Sequence, residues 1–307
     1  MPSPSNSLRR ARPLLGTLVE ITAGGDPAIL SAAVERAFAA IERVHQLMSV
    51  HERASDVSRL NRGGHRGAIE VDPQTWVVLA QAQRVSAASG GAFDVTVAPR
   101  LVEWGYLPAA EQPLPRSRPG GYRLIELLVG HRVRFGAPLM IDLGGIAKGY
   151  AVDVACAALS ACGVANYVVN AGGDLRVGGA PAIVHLRHPR RPVATLVLGS
   201  VRDCAIATSA SYFAGRDGNG GRVHPIVAPA TGAPACDRGS ISVRAADCMT
   251  ADALTKVVAV LGTAAQPALA HLHAEAILLS DAGDWLHLSP RARDSSRSAV
   301  RRPAAAG

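Results

Sequence analysis

Helices and strands are intermixed along this sequence in an irregular order. Asp26-Pro27 and Asp72-Pro73 each place a capping side chain directly before a proline, an arrangement typical of the first turn of a helix. Short apolar runs separated by glycine and proline predict strands between the helices. Because no regular strand–helix–strand repeat is present, we expect an α+β fold in a single compact body.

The predicted helices cover residues 27–48, 56–61, 73–89, 146–161 and 251–261, and the second should be capped by Ser55. The predicted strands cover residues 14–22, 124–129, 139–141, 167–169, 183–186, 195–198 and 241–243. A further helix and two strands should end the folded part. We therefore predict one domain over residues 13–289, preceded by a basic tail (1–12) and followed by a disordered arginine-rich tail (290–307).

The formal net charge of +8 is concentrated at the two ends of the chain. Residues 1–12 hold three arginines and no acid, and residues 290–307 hold five arginines and one aspartate. A folded nucleic-acid reader should carry its basic face on the structured part, so this distribution argues against nucleic-acid binding.

The cysteines and the apolar runs of the sequence indicate the cellular compartment in which the protein is expected. The five cysteines form no C-x-x-C pair, which favours a reducing compartment. The first residues lack the apolar core of a secretory signal, and the longest uncharged run, 154–173, contains glycine and asparagine. We therefore expect a cytoplasmic protein without a membrane span.

The segment Ile141–Tyr150 carries the most chemical information. An apolar run ends in the carboxylate of Asp142, two glycines predict a tight turn, and a helix begins with Lys148 in its first turn. Free N–H groups at a helix N-terminus favour anions, and glycines let a phosphate approach the backbone. The residues alone indicate a phosphate site or, equally well, a turn with a solvated lysine.

Three further segments carry candidate polar groups. Asn170-Ala171-Gly172-Gly173-Asp174 is a second glycine turn that would face the same cleft or serve only as a turn. Asp252 and Lys256 lie four residues apart on one predicted helix, where an ion pair is the simpler interpretation and a cation site the alternative. His224 begins a proline-rich loop, and no hydrolase elbow or zinc-protease motif is present.

Taken in order, these segments resemble the FAD:protein FMN transferase (ApbE-type) family over roughly residues 13 to 280. The matching segments are Leu15-Gly16-Thr17, Met48–His51 with Ser58–Asn61, Gly91–Val97, Asp142–Tyr150, Ala207-Thr208-Ser209, Pro229–Gly232 and Ala251-Asp252-Ala253. The resemblance implies an α+β fold and a phosphoryl transfer. A threonine or serine hydroxyl of an acceptor flavoprotein would attack the FMN phosphorus of FAD and release AMP, with Mg²⁺ assisting.

The resemblance also implies residue roles. The FAD site would be lined by Leu15, His51, Ala92, Phe93, Asp94, Asp142, Lys148 and Val227. The magnesium ligands would be the Gly145 carbonyl, Asp252 and Thr255, and the catalytic residues would be Asp252, as base, and His224.

Several positions depart from the family pattern. The family's metal helix reads D-x-x-x-T, but Lys256 stands at the threonine position and Thr255 comes one residue early. Lys256 would either exclude the cation by supplying its own charge, or leave Thr255 to reach the metal. His51 replaces a flavin-packing tyrosine, and Ala228 replaces an aspartate in the loop whose histidine is displaced to position 224.

Three hypotheses follow from the sequence. The first is a Mg²⁺-dependent FMN transferase acting on a protein acceptor. The second is an FAD-binding homologue without transferase activity, and the third is an FAD pyrophosphatase that uses water as the nucleophile.

Overall fold

The computed structural model describes residues 7–109, 113–116, 119–188, 195–210, 215–218, 221–235 and 239–289. Its helices are α1 (Pro27–Met48), α2 (Asp56–Gly63), α3 (Pro73–Ala88), α4 (Ala98–Glu103), α5 (Ala147–Ala161), α6 (Cys248–Leu261) and α7 (Gln266–His271). The first strands are β1 (Ser7–Leu14), β2 (Thr17–Gly24), β3 (Ile69–Glu70), β4 (Ile125–Leu128), β5 (Arg132–Phe135), β6 (Asn166–Ala171), β7 (Asp174–Gly178), β8 (Ala182–Arg187) and β9 (Thr195–Val201). The remaining strands are β10 (Cys204–Ala210), β11 (Arg216–Gly218), β12 (Gly221–Val223), β13 (Val227–Ala228), β14 (Ala233–Pro234), β15 (Ser240–Ala245), β16 (Glu275–Leu279) and β17 (Trp285–Leu288).

One antiparallel sheet organises the molecule, in the order β1-β2-β6-β7-β10-β15-β16-β17. Alternate residues of β2, namely Val19, Ile21 and Ala23, are buried and belong to the same core as α1, α5 and α6. A smaller cluster joins the hairpin β8–β9 to β7 and β10. Strands and helices in one body around a shared core confirm the predicted α+β fold.

The helix caps agree with the sequence expectations. The side chains of Asp26, Ser55 and Asp72 accept backbone hydrogen bonds at the starts of α1, α2 and α3. Proline follows both aspartates, where its missing N–H leaves no helical hydrogen bond unmade. These local signals place the helices that pack beside the central sheet.

Residues 7–12, which the sequence predicts as part of a basic tail, belong instead to a strand. Residues 7–12 form most of β1, which pairs with β2 across a two-residue turn, so the strand predicted at 14–22 is in fact interrupted. Leu15 and Gly16 adopt φ of 56° and 70°, the left-handed geometry that tight hairpin turns require. Arg12 contacts Glu35 at 2.6 Å and lies over the ring of Phe38, and this pairing explains how a basic strand is held. Residues 290–307, the other predicted tail, lie outside the described part.

The predicted strand at 139–141 is also wrong. Ile141 does not pair with a neighbouring strand in the sheets described; the side chain of Asn61 instead bonds its N–H and its carbonyl, at 2.8 and 2.9 Å. Amide side chains satisfy a backbone in this way without a strand partner. The segment is extended but is held by α2.

One stretch of helix within the described residues, Cys248–His271, is long and apolar enough to cross a membrane. Half of its most apolar window is buried inside the fold, which is typical of a core helix.

Candidate functional site

A cavity of about 580 Å³ opens where the β1–β2 turn, the end of α1, the start of α5 and the loop before β13 converge. It is lined by all eight residues predicted for the FAD site: Leu15, His51, Ala92, Phe93, Asp94, Asp142, Lys148 and Val227. Gly145 and His224 line it as well. The structure therefore brings together side chains that lie more than two hundred residues apart in the chain.

The start of α5 forms one side of the cavity. Ile146 precedes the helix without a side-chain cap; the Ala147 N–H donates to the Leu143 carbonyl at 2.8 Å, and the Gly149 N–H donates to Asp252 Oδ2 at 3.1 Å. Asp142 accepts a bond from the Gly144 N–H at 3.1 Å and thereby shapes the glycine turn. Burial raises the pKa of Asp142. An uncapped helix start with glycines before it is suited to a phosphate group.

Asp94 has mainly a scaffolding role in the cavity. Its carboxylate accepts bonds from the Thr96 N–H and hydroxyl, at 2.9 and 2.7 Å, and from the Tyr122 N–H at 3.3 Å. Burial raises the pKa of Asp94, against these hydrogen bonds. Asp94 thus fixes the turn that presents Phe93 and Ala92, two apolar residues of the lining.

A cluster of four charged side chains forms what we call the helix wall: Lys148 on α5, Asp174 on β7, and Asp252 and Lys256 on α6. Lys148 contacts Asp174, and its Nζ lies 3.5 Å from Asp252 Oδ2. Lys256 Nζ contacts Asp252 Oδ1 and also donates to the Asp252 carbonyl at 3.1 Å. Every charge of the wall faces an opposite charge.

Asp252 lies at the centre of the helix wall and is fully buried. Its Oδ2 also accepts the Gly149 N–H at 3.1 Å. Burial alone would raise the pKa of Asp252, but Lys148 and Lys256 hold it below its ordinary value. Burial likewise opposes the charge of Lys148, but Asp174 and Asp252 raise its pKa above the ordinary value. The four side chains of the helix wall are therefore charged, and their two positive and two negative charges balance.

The helix wall depends on a close approach between α5 and α6. A Cβ added to Gly149 would lie 2.2 Å from the Cys248 carbonyl oxygen, so only glycine fits there. Asp153 of α5 accepts the Cys248 and Met249 N–H groups, both at 2.9 Å, and so anchors the start of α6. The close approach of α5 to α6 brings the Gly149 N–H within hydrogen-bond distance of Asp252.

Thr255 and Asp252 do not line the cavity, unlike the other predicted site residues. The Thr255 hydroxyl is fully buried and bonded to Ser209 Oγ and to the Asp252 carbonyl, both at 2.7 Å. Lys256 lines the cavity in their place. Its Cε lies 3.6 Å from the point where a Gly145 Cβ would stand, so the lysine runs between Gly145 and Asp252.

A second part of the cavity lining, which we call the loop wall, consists of residues 224–227. His224 is 2% exposed, and its Nε2 lies 2.6 Å from the Ala235 carbonyl. A carbonyl only accepts, so Nε2 carries the proton and Nδ1 is an acceptor. Nδ1 is buried without a hydrogen-bond partner among the described residues. Because His224 lines the cavity, this buried acceptor is a candidate for taking the proton of a bound hydroxyl once the ring turns toward it.

The sequence indicated the roles of two site residues, Asp174 and Ser209, only in part. Asp174 was visible only as the end of a glycine turn, and its contact with Lys148 now joins the two turns at one cleft. Ser209 lines the cavity and fixes Thr255, a contact that no local pattern could indicate. Within the described residues, no group of three or more histidine, cysteine or acidic side chains could hold a metal.

Comparison with known proteins places this geometry in a family. A profile of the ApbE family matches residues 15–278. An FAD:protein FMN transferase of Vibrio cholerae is 32% identical over 281 residues, covering 84% of this chain and 83% of the relative. A second protein of that name, from Haemophilus influenzae, is 30% identical and covers 73% of this chain and 71% of its own length.

Solved structures agree with these relatives. The flavin transferase ApbE from Vibrio cholerae superimposes with a TM-score of 0.78 at 26% identity, covering 92% of this chain and 97% of that one. The ApbE protein from Thermotoga maritima gives a TM-score of 0.77 at 28% identity, covering 91% and 96%. The resemblance predicted from the motifs is confirmed, and the chain belongs to the ApbE family.

Proposed function

We propose that this chain transfers FMN from FAD to a threonine or serine hydroxyl of an acceptor flavoprotein and releases AMP. The observation that carries the proposal is the single cavity in which all eight predicted FAD residues meet beside a lysine-bearing helix start. The relatives named as FAD:protein FMN transferases support the same reaction. Such a transfer needs positioning and charge neutralisation more than covalent catalysis.

The cavity has an apolar and a charged part that suit the two halves of FMN. Leu15, Phe93 and Val227 offer apolar surface for the flavin ring. Lys148 and Lys256 also line the cavity and offer ammonium donors to the pyrophosphate. We expect the phosphorus of FMN to lie against the helix wall.

The acceptor hydroxyl must lose a proton as its oxygen bonds to phosphorus and the bond to AMP breaks. Asp252 is a poor base for this step, because both of its oxygens already face N–H or ammonium donors and its pKa is lowered. His224 lines the cavity, and its Nδ1, which is buried, has no such partner among the described residues. We therefore assign the proton to His224, whose ring must turn to bring Nδ1 to a bound hydroxyl, and the positioning of the two lysines to Asp252.

The predicted magnesium site does not fit the residues present. Lys256 Nζ contacts Asp252 Oδ1 and its alkyl chain lies beside Gly145, so an ammonium stands between two of the predicted ligands. The third ligand, Thr255, is turned toward Ser209. A cation of Mg²⁺ type needs free oxygen ligands, and the side-chain oxygens of Asp252 and Thr255 are already engaged. The mechanism is therefore derived without a metal.

A second candidate function is FAD binding without transfer. It is favoured by Ala228, which directly follows the loop wall in β13 and takes the place of an aspartate in the family pattern. A site that binds FAD but lacks loop-wall chemistry would retain the cofactor and form no product.

Purified protein, FAD and a threonine-bearing acceptor test the proposal. We expect the acceptor to gain the mass of FMN and AMP to appear in equal amount. An acceptor with alanine in place of that threonine is the control and should stay unmodified. Tight FAD with neither product would favour the binding homologue, and free FMN without acceptor would favour the pyrophosphatase.

A further inference from the structure

We propose that the Lys256 ammonium takes the place of a divalent cation at the FAD pyrophosphate, so that FAD binds and FMN is transferred without Mg²⁺. This inference rests on the proposed function for its catalytic part only. Its binding part concerns the cavity itself and is tested separately below.

The position of Lys256 is the first argument. Lys256 follows Asp252 by four residues on α6, so both side chains lie on one face of the helix. The Lys256 side chain is 18% exposed, whereas Asp252 is completely buried. Because Lys256 lines the cavity and Asp252 does not, the ammonium separates the carboxylate from any ligand in the cavity.

The hydrogen-bond capacity of the ammonium is the second argument. An ammonium has three N–H donors. Lys256 directs two of them to Asp252, one to Oδ1 and one to the backbone carbonyl. Among the described residues the third has no partner, and it is available to a phosphate oxygen at the cavity. A charge-assisted bond of this kind is among the stronger contacts that a side chain makes with phosphate.

The composition of the chain is the third argument. The sequence has two lysines and thirty arginines, and both lysines belong to the helix wall. A lysine ammonium is a compact point charge, whereas a guanidinium is a broad planar fork. The only two compact cations in the sequence thus stand side by side on Asp252, at the place where a pyrophosphate needs positive charge.

Charge balance makes a further cation unfavourable. The two carboxylates of the helix wall already face two ammonium groups, and both carboxylates are buried. A divalent ion bound to Asp252 would have to displace Lys256 into a position where its charge is unpaired. Unpaired buried charge is strongly disfavoured.

The scarcity of lysine gives a direct readout of binding. Amine-selective reductive methylation should modify Lys148, Lys256 and the N-terminus alone, and mass spectrometry reports each site. With EDTA present, we expect FAD to protect Lys256 from methylation, and FAD affinity measured by flavin fluorescence to change less than about twofold when Mg²⁺ replaces EDTA. We also expect no bound Mn²⁺ by EPR, with or without FAD.

Lys256→Thr and Lys256→Met form a matched pair, because both remove the charge but only threonine restores an oxygen ligand. In EDTA both should bind FAD about tenfold more weakly, the loss expected for one charge-assisted bond. Mg²⁺ should restore affinity to Lys256→Thr but not to Lys256→Met. Circular dichroism establishes that each variant is folded.

Several results would overturn the inference. Stoichiometric Mn²⁺ in the unaltered protein, FAD binding that requires Mg²⁺, or no FAD binding under any condition would each do so, whether or not the variants fold. FAD binding in EDTA with FMN transfer only in Mg²⁺ would overturn the catalytic part. FAD binding in EDTA without transfer under any condition would remove the proposed function and keep the binding part of the inference.

Discussion

The helix wall and the loop wall of the cavity differ in how their polar groups are paired. In the helix wall, Lys148 of α5, Asp174 of β7, and Asp252 and Lys256 of α6 all contact opposite charges. In the loop wall, His224 has one ring nitrogen bonded and the other unsatisfied. The paired charges therefore lie in the helix wall, whereas the candidate proton acceptor lies in the loop wall.

Asp252→Ala should have the largest effect, since it removes the centre of the helix wall. It leaves Lys148 with Asp174 alone and removes the carboxylate that Lys256 contacts, and breaking a buried ion pair costs about 3–5 kcal/mol of unfolding free energy. Denaturant unfolding measures this loss, and FMN transfer should disappear with it. An unfolding free energy equal to that of the unaltered protein would contradict the pairing described.

Asp153→Asn is the matched control for that change. Asp153 is another acid that holds α6, but its ion pair is with Arg176 and not with a lysine of the helix wall. We expect a loss of about 1–3 kcal/mol with FAD affinity retained. If this variant lost FAD as completely as Asp252→Ala, the helix wall would have no special role.

His224→Gln tests the loop wall. Glutamine keeps an N–H donor for the Ala235 carbonyl, but its amide oxygen accepts hydrogen bonds without taking up a proton. Loss of a proton acceptor should slow transfer by about 10²–10⁴-fold, while FAD affinity stays nearly constant. Rapid-quench measurement of AMP release under single-turnover conditions checks the rate. Unchanged turnover would assign the proton to another group.

Gly149→Ala probes how tightly the helix wall is packed. The new methyl would clash with the Cys248 carbonyl, and overpacking of this kind costs about 1–3 kcal/mol. Gly67→Ala is the control, because open space surrounds Gly67 and it is exposed. Thermal unfolding of both variants should show a lower Tm for Gly149→Ala alone.

Cysteine reactivity gives the smallest expected effect. Cys248 begins α6 and is fully buried, and burial raises the pKa of its thiol. Burial also raises the pKa of Cys156 to about 12. Only the thiolate reacts, so both should resist iodoacetamide as the pH rises from 7 to about 9, while the more accessible Cys162 reacts. Peptide mass spectrometry reports each site, and rapid labelling of Cys248 would indicate an opening helix wall.

The sequence predicted local features better than pairings across the fold. The caps at Asp26 and Asp72 and the glycine turn after Asp142 depend on neighbours in the chain, and they are found as expected. β1 was missed because its arginines resemble a solvated tail, and only β2 and Glu35 reveal its partners. Thr255 was misplaced because Ser209, on another element, fixes its hydroxyl.

Lys256 is a further residue whose contacts the sequence alone could not decide. Its spacing from Asp252 was compatible with an ion pair or with a displaced metal ligand set, and the sequence left both open. The structure shows the ion pair, because the carboxylate is buried and the lysine lies between it and the cavity. The cytoplasmic location and the threonine or serine of an acceptor flavoprotein stay predictions from the sequence.

The division of labour between the walls is tested by measuring FAD affinity and single-turnover FMN transfer on the same two variants. Lys148→Met should weaken FAD binding, since it removes a cation from the pyrophosphate side, while His224→Gln should slow transfer with FAD still bound. A His224→Gln protein that loses FAD as much as Lys148→Met, or that transfers FMN at the unaltered rate, would contradict the account.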